Sequence, residues 1–88
     1  INGYPDQPPP RTGLSLGDSL AGLFAVQGVL MALYWRDGEG QGKGQVIDAS
    51  IMESCFAMME SALSEFDTMG FVREPSGTGL ANVSPSNI

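Results

Sequence analysis

Between Leu20 and Trp35 the chain runs sixteen residues with one polar side chain, Gln27. A run of that length without a polar face predicts a buried helix. Ser15, Asp18 and Ser19 precede or open the run and are residue types that cap helices, so the helix is expected over residues 15–36, opening near Asp18. Its small residues Ala21, Ala25, Gly28 and Ala32 recur at steps of four, three and four. They form one stripe along which another backbone can approach closely, while Leu20, Leu23, Phe24, Leu30, Met31 and Leu33 cover the other sides.

A second periodic segment follows. Ile51, Met52, Cys55, Phe56, Met59, Leu63, Phe66 and Met69 recur at helical spacing, with Glu53, Glu60 and Asp67 largely on another side. Ser50 and Glu53 have the spacing of a capping box, and Gly70 is placed to stop the helix, so one helix is predicted over residues 50–69. The methionines are read as helix core rather than as the lining of an acyl pocket. Between the helices, glycine occupies every second position from 38 to 44, a flexible turn in which Gly38 ends the first helix. Val46 and Ile47 are β-branched and bounded by turn chemistry, which predicts a strand over residues 45–49. Residues 1–14 hold four prolines and two glycines and predict an extended strip, with the proline run a stiff connector. Residues 70–88 read as loop. The order is therefore extended strip, helix, strand, helix, loop: an α/β segment whose strand needs partners from outside these residues.

Composition narrows the chemistry. Net charge is −6, and the basic residues Arg11, Arg36, Lys43 and Arg73 are scattered, which argues against a nucleic-acid partner. Only 16% of residues are charged, so much of the surface is expected to lie under other protein. Cys55 is the one cysteine and there is no histidine, so neither an internal disulfide nor a zinc site is expected. Cys55 is read as core, in a cytoplasmic setting. No signal peptide is evident, and sixteen apolar residues fall short of the roughly 20 that cross a bilayer, so no membrane association is expected. With Ile1 in place of an initiator Met, the chain is expected to be an internal piece of a longer protein.

Two stretches invite a chemical reading. The glycines around Lys43 suggest a phosphate loop, but Gly44 stands where Ser or Thr is needed, and the order helix, loop, strand is the reverse of what that motif requires. The other is Asp18. Unpaired N–H groups and the aligned peptide dipoles at a helix start favour an anion there, so Asp18 reads either as a capping residue or as a positioned carboxylate.

Leu16-Gly-Asp-Ser-Leu-Ala-Gly22, Ala32-Leu-Tyr-Trp-Arg36, Gly42-Lys-Gly-Gln45 and Val46-Ile-Asp-Ala-Ser-Ile-Met-Glu53, in that order, resemble the family III CoA-transferases. That family includes formyl-CoA transferase and carnitine CoA-transferase, with α-methylacyl-CoA racemase as a relative. Ser84-Pro-Ser-Asn-Ile88 is similar to the segment before the family's next strand. The resemblance implies a fragment of a large Rossmann-like domain. It also implies that Asp18, in the matching Gly-Asp-Ser motif, is the catalytic carboxylate, carrying CoA as an aspartyl thioester. It implies acyl-CoA and a carboxylic acid as substrates, no permanently bound cofactor, CoA-binding residues supplied from elsewhere and an interlocked homodimer. The 88 residues alone are expected to be inactive. Two alternatives stay open: a racemase-like exchange of the proton beside the thioester, and a non-catalytic packing or dimerisation segment in which Asp18 only caps the helix.

Overall fold

A computed structural model describes residues 2–77 and 79. Three helices are present: α1 (Leu16–Asp37), α2 (Ile51–Ala57) and α3 (Ala62–Met69). The chain divides into two units, one of residues 15–60 holding α1 and α2, the other of residues 1–14 with 61–88 holding α3.

In the first unit, α1 matches the predicted helix to within a residue. Ser15 is its N-cap, and the Ser15 carbonyl accepts the first intrahelical bond from the Ser19 amide at 3.0 Å. At its other end the Gly38 amide reaches the Tyr34 and Trp35 carbonyls, both at 3.2 Å, as expected of Gly38. The glycine-rich turn then wraps back. Gly40 and Gly42 donate to the Trp35 and Arg36 carbonyls at 2.7 and 2.8 Å, and Gly40 is buried beneath the Trp35 indole.

The half-buried positions of α1 are Gly17, Leu20, Ala21, Phe24, Ala25, Gly28 and Ala32, a single stripe at spacings of three and four. It contains the whole predicted small-residue stripe. A Cβ on Gly28 would lie 2.8 Å from Ile47 Cγ2, and one on Gly17 would lie 2.8 Å from Ile51 Cγ2, so the absence of side chains there lets residues 47–55 press against the α1 backbone. The rest of α1 is not buried as predicted. Leu23, Val26, Leu30 and Met31 are each more than half exposed, and Tyr34 is 87% exposed. One short helix and its lead-in cover one stripe of a cylinder and leave the remainder open. With 22 residues, α1 is long and apolar enough to cross a membrane by length and composition, a test that core helices also pass. One stripe of it packs against Ile47 and Ile51.

Two further expectations are corrected. Residues 45–49 are not in a strand here, and none occurs among the described residues, where no segment offers the ladder of partners that the sequence reading placed outside this chain. The predicted single helix over 50–69 is two. Ser50 does cap α2, its hydroxyl accepting from the Glu53 amide at 3.2 Å, although the Glu53 carboxylate does not complete the box. After Ala57 the amides of Met58 and Met59 bond three residues back, to Cys55 and Phe56, and Glu60 takes a left-handed conformation (φ 56°), which ends the helical path. The apolar residues of these helices are mostly open: Met52, Phe56, Leu63, Phe66 and Met69 are all more than half exposed.

In the second unit, α3 ends on Gly70, which is left-handed (φ 68°) and donates to the Phe66 carbonyl at 2.8 Å, as its position predicts. An ion pair ties α3 to the segment after it. Arg73 donates from Nε to Glu65 Oε1 at 3.0 Å and from Nη2 to Glu65 Oε2 at 2.6 Å, and the Ser61 hydroxyl also donates to Glu65. The predicted extended strip is instead folded back on itself. The Asn2 side chain donates to the Pro10 carbonyl at 2.6 Å, with Gly3 at φ 102°, because these two residues supply a donor and a conformation that the prolines lack. The Gly77 amide bonds the Gly3 carbonyl at 2.7 Å. Residues 70–76 and 79 are irregular, as expected, while Ser84-Pro-Ser-Asn-Ile88 lies outside the described residues.

Two predictions follow from this packing. A methyl on Gly40 would lie 2.5–2.8 Å from three Trp35 ring atoms, so Gly40→Ala is expected to cost about 1–3 kcal/mol, read as a lowered melting temperature. Gly44→Ala, with open space around it, should leave melting unchanged. The second concerns acid. The hydrogen bonds from Arg73 and then Ser61 pull the Glu65 carboxyl from 4.5 down to about 2. A depressed carboxyl contributes stability that is complete above its unfolded value and fades as pH falls through its folded one. Melting temperature should therefore decline from pH 5 towards pH 2, with a shallower decline in Arg73→Gln.

Candidate functional site

Asp18 is the third residue of α1 and lies in its first turn, with Ser15 rather than Asp18 at the N-cap. The Ser15 side chain makes no capping bond. The amides of Leu16, Gly17 and Asp18 precede the first intrahelical bond and have no partner among the described residues. They leave three donors and the positive end of a 22-residue dipole beside the carboxylate. Asp18 itself is exposed and has neither a hydrogen-bond nor an ion-pair partner among the described residues. A carboxylate so placed is open to attack an electrophile from solvent, with donors nearby to receive negative charge.

The underside of this turn is closed by α2. Gly17 rests on Ile51, and Cys55 Sγ stands 3.5 Å from the position of a Gly17 Cβ. Cys55 is half-buried here, in keeping with a packing role. Deeper in the same unit, Ser54 is 5% exposed and donates to the Ser50 carbonyl at 2.6 Å, closing the first turn of α2. Sequence reasoning began the small-residue stripe at Ala21 and missed Gly17. The signal was present, since Gly17 stands four residues before Ala21.

Two hollows flank α1, and Asp18 lines neither. One, of about 260 Å³, lies between Phe24 and Gly28 on one side and residues 47–57 on the other, with Asp48 and Glu53 in its wall. Phe24 is six residues along α1 from Asp18, about 9 Å at the rise of a helix. The other lies at the far end of α1 between Leu33 and Glu39, with Asp37 and Glu39 in its wall. Carboxylates in both walls repel a phosphate group. Arg36, beside the second, is committed to Asp37, donating from Nε at 2.8 Å and from Nη2 at 3.3 Å. That bond and the attraction between the charges raise the pKa of Arg36 and lower that of Asp37. Neither hollow offers the cationic cradle that the nucleotide end of CoA requires. Among the described residues no three His, Cys, Asp or Glu side chains are grouped to hold a metal ion.

Comparison with known proteins gives this arrangement its context. The model of CoA-transferase family III matches residues 1–88. Succinyl-CoA–D-citramalate CoA-transferase of Chloroflexus aurantiacus is 51% identical over 88 residues, all of this chain and 21% of that protein. The alpha subunit of succinyl-CoA–L-malate CoA-transferase from the same organism is 37% identical over 80 residues, 90% of this chain and 18% of that protein. Acetyl-CoA:oxalate CoA-transferase of Acetobacter aceti is 41% identical over 69 residues, 77% of this chain and 17% of that protein. The chain thus spans about a fifth of the length of the curated relatives it matches. No solved structure matches it. The chain belongs to CoA-transferase family III.

Proposed function

We propose, from the chain's membership of CoA-transferase family III, that the protein moves coenzyme A between carboxylic acids with Asp18 as the group that carries it. The observation that supports this reading is an exposed carboxylate without a partner, in the first turn of a long helix whose leading amides are unpaired.

An oxygen of Asp18 attacks the thioester carbonyl of the donor, the carbon–sulfur bond breaks, and a mixed anhydride and CoA thiolate result. The thiolate then attacks the aspartyl carbonyl of that anhydride, expelling the donor acid as its carboxylate and leaving an aspartyl-CoA thioester. The acceptor carboxylate repeats the two steps in reverse order, taking CoA away and restoring Asp18. Each step moves negative charge onto a carbonyl oxygen, and amides at the α1 start are donors of the kind that stabilise it. The nucleotide end of CoA is held by residues outside these 88, since both hollows here carry acids.

The relatives' names suggest a substrate class. They pair succinyl-CoA with D-citramalate or L-malate, and acetyl-CoA with oxalate, all acceptors with two carboxylates. We assign this protein a succinyl-CoA donor and a small dicarboxylate acceptor. Its proposed setting is the large α/β domain of a cytoplasmic homodimer, in which further protein covers the open face of α1.

In the full-length protein, Asp18→Asn is expected to lower CoA transfer from succinyl-CoA to citramalate or malate by roughly 10³-fold or more. Hydroxylamine added to the wild type with succinyl-CoA should convert Asp18 to a hydroxamate detectable by mass spectrometry. Undiminished turnover in Asp18→Asn would end this reading. Rapid exchange of the α-proton in deuterated water, without an acceptor acid, would point to racemase chemistry instead.

A further inference from the structure

We infer that Gly17 and Ile51 together form a seat that sets the position of Asp18 for the transfer reaction. The inference rests on the reading of Asp18 as the carrier. Ile51 is the first residue of α2, and its Cγ2 occupies the space into which any side chain on Gly17 would project, 2.8 Å from the place of a Cβ. Cys55, one turn further along α2, borders the same space at 3.5 Å. The α1 backbone immediately before Asp18 therefore lies directly on α2.

Ile51 is β-branched and so restricted at χ1 although it is half-exposed, and Cys55 borders the same space. The start of α2 is itself held, by the Ser50 hydroxyl on the Glu53 amide at 3.2 Å and by the Ser54 hydroxyl on the Ser50 carbonyl at 2.6 Å. The Asp18 side chain has no hydrogen bond among the described residues, so the backbone of this turn is what locates it. Carbon atoms in contact settle about 3.5–4.0 Å apart. A methyl on Gly17 must therefore push the first turn of α1 roughly 1 Å from α2, a displacement that can lower a reaction rate by about 10²-fold. The same methyl favours the helix, so a loss of rate would not come from unwinding α1.

Gly17 and Ile51 are positioning residues, and a double-substitution cycle in the full-length protein tests them. Gly17→Ala is expected to lower kcat about 10- to 100-fold with KM for succinyl-CoA within threefold of wild type. Ile51→Ala, which leaves the turn without support, should lower kcat about three- to tenfold, again without moving KM. In the double variant the alanine methyl takes up the vacated space, and kcat should exceed that of either single variant. If Gly17→Ala does not fold, the Ile51→Ala kinetics carry the test. A wild-type kcat in either folded single variant, a change confined to KM, or losses that simply multiply in the double variant would overturn the inference. Asp18→Asn measured alongside separates the two levels: if it is inactive while Gly17→Ala is fully active, the seat fails and the carrier stands. If Asp18→Asn turns over normally, the carrier fails and the seat with it.

Discussion

Close approach between backbone and side chain, at two glycines of one helix, is the constraint on which the unit of α1 and α2 depends. At Gly17 and Gly28 a missing side chain admits Ile51 and Ile47 to within 2.8 Å of where a Cβ would be. The two contacts are eleven residues apart, three turns of helix, so they fix both ends of the segment 47–51 along α1. Hydrogen bonds within residues 50–54 fix the first turn of α2, to which Ile51 belongs. No fully buried hydrophobic residue exists among those described, so this contact, rather than an enclosed core, organises the unit.

The exposed remainder of α1 has a direct physical reading. Leu23, Val26, Leu30, Met31 and Tyr34 are each more than half exposed, so most of the apolar surface of α1 is open. The chain spans about a fifth of the length of the curated relatives it matches. Both hollows beside α1 carry acids in their walls, which makes neither suited to a phosphate group.

Around α3 the organising force is electrostatic. Glu65 receives both Arg73 and Ser61, and the pair is only 12–18% exposed, which ties an irregular segment to a helix of eight residues. Nothing in the apolar pattern announced this connection. Arg73 follows Glu65 by eight residues and lies beyond Gly70, so the two meet only because Gly70 turns the chain back.

By itself the sequence determined what local rules control. The apolar run and its polar entry located α1 to within a residue, Gly38 and Gly70 ended helices where glycine allows it, Ser50 capped α2, and the small-residue stripe marked the packed face. The ordered motifs also revealed the family. Tertiary structure alone decided the rest. Methionines and phenylalanines kept their helical spacing through residues 58–61, so periodicity could not show the break at Glu60, where backbone geometry changes without a glycine or proline to signal it. A strand exists only with a partner, and no described segment pairs with the β-branched residues at 46 and 47. Asn2 reaching Pro10 and Ile51 reaching Gly17 are contacts between distant positions, and distance along the chain carries no information about which side chains will meet in space.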